Sequence, residues 1–190
     1  MKKFELISEF VTNVFGKKLF RIKALVSFGD VSAGELGGFV EKEENLSNNG
    51  NAWVSGNARV SGDARVSGDA LVSGNAQVSD NAWVSGNAWV SGNARVSGNA
   101  WVSGNARVSG NADFSVVTGF GRCFRATTFF RCKDKILRVQ CGCFYGDLAK
   151  FREIVKKTHG DSKYAKEYLA IADLMELHFS DEEENQEADK

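Results

Sequence analysis

Four groups of side chains in this sequence could carry chemistry. The thiols are Cys123, Cys132, Cys141 and Cys143, and thiolates bind soft metals or exchange in redox reactions. Their spacings of nine, nine and two residues match no ordinary zinc ribbon. Cys141 and Cys143 share strand parity with Leu137 and Val139, which aims them at a core, so buried structural thiols are expected ahead of a metal site. A second group, Arg122, Arg125, Arg131 and Arg138 with Lys133 and Lys135, interleaves with Phe124, Phe129 and Phe130. Such mixing serves nucleotide or anion contacts and single-stranded nucleic acids, set against a favoured reading as a solvated strand face over buried phenylalanines. His159 and His178 fall near expected helix ends and suit capping or surface roles. The fourth group is four tryptophans with neighbouring arginines in the middle of the chain, the residue types enriched at binding hot spots. Gly119-Phe120-Gly121 lacks the third glycine of a dinucleotide fingerprint and reads as a turn. No acid–base pair or nucleophile constellation is visible, so neither catalysis nor a cofactor is expected.

The elements that must position these groups follow from a repeat. From Gly50 to Asp113 the chain runs as Val-Ser-Gly-Asn-Ala-x, with Ala at every sixth position from 52 to 112 and Val from 54 to 108. A fixed short period marks a solenoid rather than a helix or a simple alternating strand. Each hexad reads as a short strand, x-Val-Ser, and a Gly-Asn or Gly-Asp corner where positive φ is tolerated. Alternation sends Val inward and x and Ser outward, and Ala faces inward beside the corner. All four tryptophans lie in the array, and the fourteen phenylalanines lie outside it.

The Val-Ser-Gly-Asn-Ala-x pattern resembles the hexapeptide repeat of left-handed parallel β-helices, in which three hexads make one triangular coil. The lead-in Leu25-Val26-Ser27-Phe28-Gly29-Asp30-Val31-Ser32-Ala33-Gly34-Glu35-Leu36-Gly37-Gly38-Phe39-Val40 is similar to that of phage and prophage hexapeptide-repeat proteins. So are the stretches from Thr127 to Cys132, Cys141 to Phe144 and Lys157 to Gly160. That resemblance implies a phage-associated protein with no established biochemical activity. Acyltransferases and carbonic anhydrases on this architecture use histidines, and the array has none, so transferase activity ranks last. Ice binding would need a flat array of threonine-like residues, and the neutral array lacks the acidic columns of a DNA mimic.

With three hexads per coil, residues eighteen apart stack. One face then carries Trp53, Leu71, Trp89 and Arg107; a second carries Arg59, Gln77, Arg95 and Asp113; the third carries Arg65, Trp83 and Trp101. Ser55, Ser73, Ser91 and Ser109 accompany the first. The aromatic faces are expected to dock a partner, or to be covered by the caps or by a second copy.

A solenoid needs capped ends. Residues 1–45 read as an N-terminal cap, a hairpin leading into a degenerate first coil with Gly34, Val40 and Leu46 in the Ala phase; residues 46–113 are the array. Residues 114–179 read as an α+β module of two strands, Thr127 to Cys132 and Ile136 to Cys141, and two helices. The first helix is capped by Asp147, carries Leu148, Phe151, Ile154 and Val155 inward and ends near Gly160. The second runs from about Ser162 to Phe179 with Tyr164, Tyr168, Ile171, Met175 and His178 on one face. Residues 180–190 form an acidic tail expected to be disordered. The formal charge of zero conceals twelve basic against seven acidic side chains in the module, and one against six in the tail.

The fold class expected is therefore mainly β: a left-handed parallel β-helix with an N-terminal β cap and a C-terminal α+β module. The expected function is non-catalytic binding of a host or phage macromolecule, in a setting such as counter-defence or host takeover. Sequestration of a nucleotide signal and self-assembly as a structural component are the alternatives, and a homo-oligomer is expected. No run of eighteen apolar residues offers a membrane span, and the acids Glu5 and Glu9 in the opening Met1-Lys2-Lys3-Phe4-Glu5-Leu6-Ile7-Ser8-Glu9 argue against a signal peptide, giving a cytoplasmic expectation in a bacterial host.

Overall fold

The computed structural model describes residues 2–180. The expected acidic tail lies, from 181 onward, outside the described residues. Three strands open the chain: β1 (Phe4–Thr12), β2 (Lys18–Ala24) and β3 (Leu36–Val40). β1 and β2 form an antiparallel hairpin, and β3 pairs antiparallel with β2 on one edge and parallel with the array on the other. Of the residues expected in the Ala phase, Val40 and Leu46 are buried and Gly34 is exposed.

Each hexad of the array yields a two-residue strand. They are β4 (Trp53–Val54), β5 (Arg59–Val60), β6 (Arg65–Val66), β7 (Leu71–Val72), β8 (Gln77–Val78), β9 (Trp83–Val84), β10 (Trp89–Val90), β11 (Arg95–Val96), β12 (Trp101–Val102) and β13 (Arg107–Val108). Pairing is parallel between residues eighteen apart, as in Trp53↔Leu71, Arg59↔Gln77 and Trp83↔Trp101, so one coil is three hexads. The result is a parallel β-solenoid with faces β4-β7-β10-β13, β6-β9-β12 and β5-β8-β11, the last continued by β3, β2 and β1. Every hexad Val and every Ala from 52 to 106 is at most 1% exposed. Burying each Val contributes about 1.5–3 kcal/mol, and the narrow Val/Ala interior accounts for the absence of phenylalanine. Asp80 stands where other hexads place Gly; it takes φ 60, and its Oδ2 accepts the N–H of Gly98 at 3.0 Å.

The ladder has a direction. N–H groups of each coil donate to C=O groups of the next, as in Trp53 to Ala70 at 3.0 Å and Ser55 to Val72 at 2.9 Å. The first coil therefore presents unpaired carbonyls and the last unpaired N–H groups, each costly if buried without a partner. The N-terminal cap supplies donors. Lys3 Nζ reaches the carbonyls of Gly50 and Ala52 at 3.2 and 2.8 Å, and Asn45 Nδ2 reaches those of Gly62 and Ala64 at 3.0 and 2.8 Å. The C-terminal side supplies acceptors: Asn111 Oδ1 for Arg95 N–H, Thr128 Oγ1 for Trp101 N–H, and Asp113 Oδ2 for the N–H groups of Ser109 and Gly110. Asp113 thus lies in a 3-10 turn (Asn111–Asp113) that ends the array, not on the outward column expected for it.

The C-terminal module holds four strands rather than two: β14 (Phe114–Val117), β15 (Thr127–Arg131), β16 (Leu137–Cys141) and β17 (Phe144–Asp147), antiparallel in that order. Two helices follow, α1 (Leu148–His159) and α2 (Lys163–Phe179), N-capped by Asp147 and Ser162. α1 buries Leu148, Phe151 and Val155. α2 buries Ala165, Tyr168, Ile171, Ala172, Met175 and Phe179, and leaves Tyr164 and His178 exposed. The apolar stripe is thus rotated from the expected one, with the small residues Ala165 and Ala172 joining the module's core. Among the described residues, no helix is long and apolar enough to cross a membrane.

Candidate binding surfaces

The outward tryptophans are held by a recurring bond. Trp83, Trp89 and Trp101 donate from Nε1 to Oγ of Ser67, Ser73 and Ser85 at 3.0, 3.0 and 3.2 Å, in each case a serine sixteen residues earlier. The strand ladder sets this spacing: one coil back is eighteen residues, and the serine of that coil lies two beyond the stacked position.

On the third face Trp83 and Trp101 stack with centroids 5.0 Å apart and planes 5° from parallel, a geometry that favours aromatic pairs. Trp83 is 41% exposed and Trp101 half-buried. Beside Trp83 lies a cavity of about 500 Å³ lined by Glu43, Glu44, Leu46, Ser47, Asn48, Arg65, Val66 and Ser67. Lys2 already holds Glu43 at 2.6 Å.

The first face divides. Leu71 and Trp89 are exposed, and the Arg107 guanidinium sits 5.6 Å from the Trp89 ring while donating to the carbonyls of Asn87 and Ala106. Trp53, expected outward with them, is only 3% exposed. The N-terminal segment covers it: Phe28 packs edge-on at 5.4 Å, and Gly37 lies against the indole. Trp53 is thus a cap contact, and the aromatic surface is Leu71, Trp89 and Arg107 on one face and Arg65, Trp83 and Trp101 on another.

The basic cluster of the module is separated into two pairs. Arg131 donates to the carbonyl of Phe179 at 2.9 Å and lies over its ring, and Arg138 pairs with Asp134 at 2.7 Å. Arg122 and Arg125 belong to the loop 118–126 between β14 and β15, where Gly119-Phe120-Gly121 makes a turn within the module, and both line a separate cavity. Phe129 and Phe130 are buried on opposite sides of β15, Phe129 in the core with the helices and Phe130 in the core of the solenoid, and Phe124 is exposed.

The cysteines differ from expectation. Cys132 is buried, and burial pushes its thiol up; Cys141 is half-buried, and Cys123 and Cys143 are exposed. Strand parity fails for Cys143 because β16 ends at Cys141 and Gly142 turns the chain at φ 57. Cys123, Cys141 and Cys143 line the same cavity as Arg122 and Arg125, together with His159 and Tyr168. Thr127 Oγ1 donates to Cys141 Sγ at 3.2 Å. Burial, then the neighbouring Cys141 thiol, pushes the Tyr168 phenol up to about 12. Among the described residues, no group of three or more His, Cys, Asp or Glu side chains is arranged to hold a metal ion.

A family model described as YdcK beta solenoid repeat matches residues 64–78, 76–92 and 88–104. No curated relative matches the chain. The matched segments lie within the array, and the chain is a repeat β-solenoid protein.

Proposed function

We propose that this is a non-catalytic binding protein whose solenoid presents a preorganised aromatic face to a protein partner. The observation that carries this reading is the exposed Trp83–Trp101 stack, with each indole fixed by a serine and a cavity opening beside Trp83. Side chains already held in one geometry lose little freedom on binding, and Trp and Arg are the residues that carry most interface energy. The hexapeptide type of the repeat and a phage or prophage setting belong to the same proposal, with a host or phage protein as the partner and counter-defence or host takeover as the setting.

Capture from bacterial lysate, comparing the wild-type chain with Trp83→Ser/Trp101→Ser, tests the site. A specific partner lost in a double variant that still unfolds cooperatively supports it; capture that survives the substitutions overturns it. Light scattering at two concentrations separates a foreign partner from a second copy of the chain.

A further inference from the structure

We propose that the C-terminal module holds a small organic anion with an apolar body, at a site separate from the aromatic faces of the solenoid. The site is a cavity of about 370 Å³ between loop 118–126, the turn from β16 to β17, and the two helices. That volume falls in the lower part of the range of small-molecule pockets, roughly 300–1,000 Å³.

Two features of the lining define the ligand. Phe144, Phe151, Ile154 and Val155 make an apolar wall, which a bare inorganic anion could not use. Arg122 and Arg125 stand at the same cavity, and no Asp or Glu is among its lining residues. Neither arginine has a carboxylate in salt-bridge contact among the described residues, whereas Arg138 and Arg152 of the same module are both paired. Two guanidinium groups that no carboxylate of the described residues holds in a salt bridge, beside an apolar wall, select a negative head on a hydrophobic body.

The loop is held in place for this. Gly121 N–H donates to Glu167 Oε2 at 2.9 Å, and a Cβ at position 121 would collide with the Tyr168 hydroxyl, so the loop backbone lies directly on α2. Between the two arginines Phe124 takes φ 51, a left-handed conformation that L-residues rarely adopt. This turn returns the chain so that Arg122 and Arg125 share one cavity.

Decanoate is the probe, decanol its uncharged counterpart, and anilinonaphthalene sulfonate the fluorescent reporter, all with the full chain. Decanoate should displace the reporter, decanol should do so at least about tenfold less well, and Arg122→Gln/Arg125→Gln should weaken decanoate by about tenfold or more, which is one ion-assisted contact or more. Both arginines are exposed, so an unchanged melting temperature should show that the variant is folded; binding of the neutral dye phenylnaphthylamine should also persist. Location is read from the thiols: bound decanoate should slow alkylation of Cys123 and Cys143. Equal displacement by decanol, full decanoate affinity in the double variant, or unprotected thiols would each overturn the proposal.

Discussion

Gly37 lies against the indole of Trp53 so closely that a Cβ at position 37 would fall 2.7 Å from Trp53 Cζ2 and 2.6 Å from the carbonyl oxygen of Val54. Position 37 is also the one sixteen residues before Trp53, where the other three tryptophans find a serine. The Trp53 Nε1 is accordingly buried without a hydrogen-bond partner among the described residues. One residue type in one phase of the repeat thus does two jobs: Trp53 joins cap to coil, and Trp83, Trp89 and Trp101 face outward.

Trp53→Ser should destabilise the chain by about 3–5 kcal/mol, the cost of emptying a large buried site, and Gly37→Ala by about 1–3 kcal/mol through overpacking. Trp83→Ser should cost only about 1–2 kcal/mol, from one stacked pair and one hydrogen bond. Denaturant unfolding of the three variants checks the order; a Trp53→Ser chain as stable as Trp83→Ser would contradict the capping role.

Lys3 makes stability depend on alkaline pH. Burial pulls its ammonium down from 10.5 to about 8, against a weaker pull upward from Asp69. Between about 8 and 10.5 the unfolded chain binds more protons at this residue than the folded one, so this contribution to stability rises with pH across that window. Below it, the folded state bears the full penalty of a buried charge. Lys3→Met should flatten that rise and leave the carbonyls of Gly50 and Ala52 without their donor; unfolding curves from pH 7 to 10.5 on both chains provide the comparison.

Asp113 acts at the other end and in the opposite direction. Burial raises its pKa, but hydrogen bonds from the Ser109 hydroxyl and the N–H groups of Ser109 and Gly110 outweigh that and hold it below 3.8. Its contribution is present above 3.8 and is lost as pH falls through the lower folded value. Asp113→Asn should cost about 1.5–3 kcal/mol at neutral pH and much less in strong acid; a pH-independent difference would show that the charge is irrelevant.

Coil register can be tested by deletion. Removing residues 71–88 takes out one coil, brings Trp89 beside Trp53 in the same column and places Ser55 sixteen residues before Trp89. This chain should fold, with lower stability. Removing residues 71–76 turns one cap by a third of a coil relative to the other and should abolish cooperative unfolding. Circular dichroism and melting of the two deletions decide the matter.

The array was legible because its chemistry is local: Val, Ala and the corner recur in the sequence at the period of the coil. Burial of Trp53 was not, since Phe28 and Gly37 reach it from outside the repeat, although extending the serine column back by one coil would have arrived at Gly37. β17 was missed because Gly146 and Asp147 are poor strand residues and the strand is held by its pairing with β16. Reading Arg122 to Arg138 as one cluster failed where Asp134 and Phe179 took the later two arginines. Arg122 and Arg125 were legible as candidate anion contacts, but the cavity they share with Phe144 and α1 was not, because one side of it is a loop folded back onto α2.

The directional ladder bears on what the caps do besides completing the fold. Without its caps, the solenoid would expose a row of acceptors at one end and a row of donors at the other, and each end would fit the opposite end of a second molecule. That is a head-to-tail contact with no closure, the geometry of an open filament. Lys3, Asn45, Asn111 and Thr128 occupy those groups within a single chain, so the same side chains that complete the fold also fill the end groups through which such a contact would form.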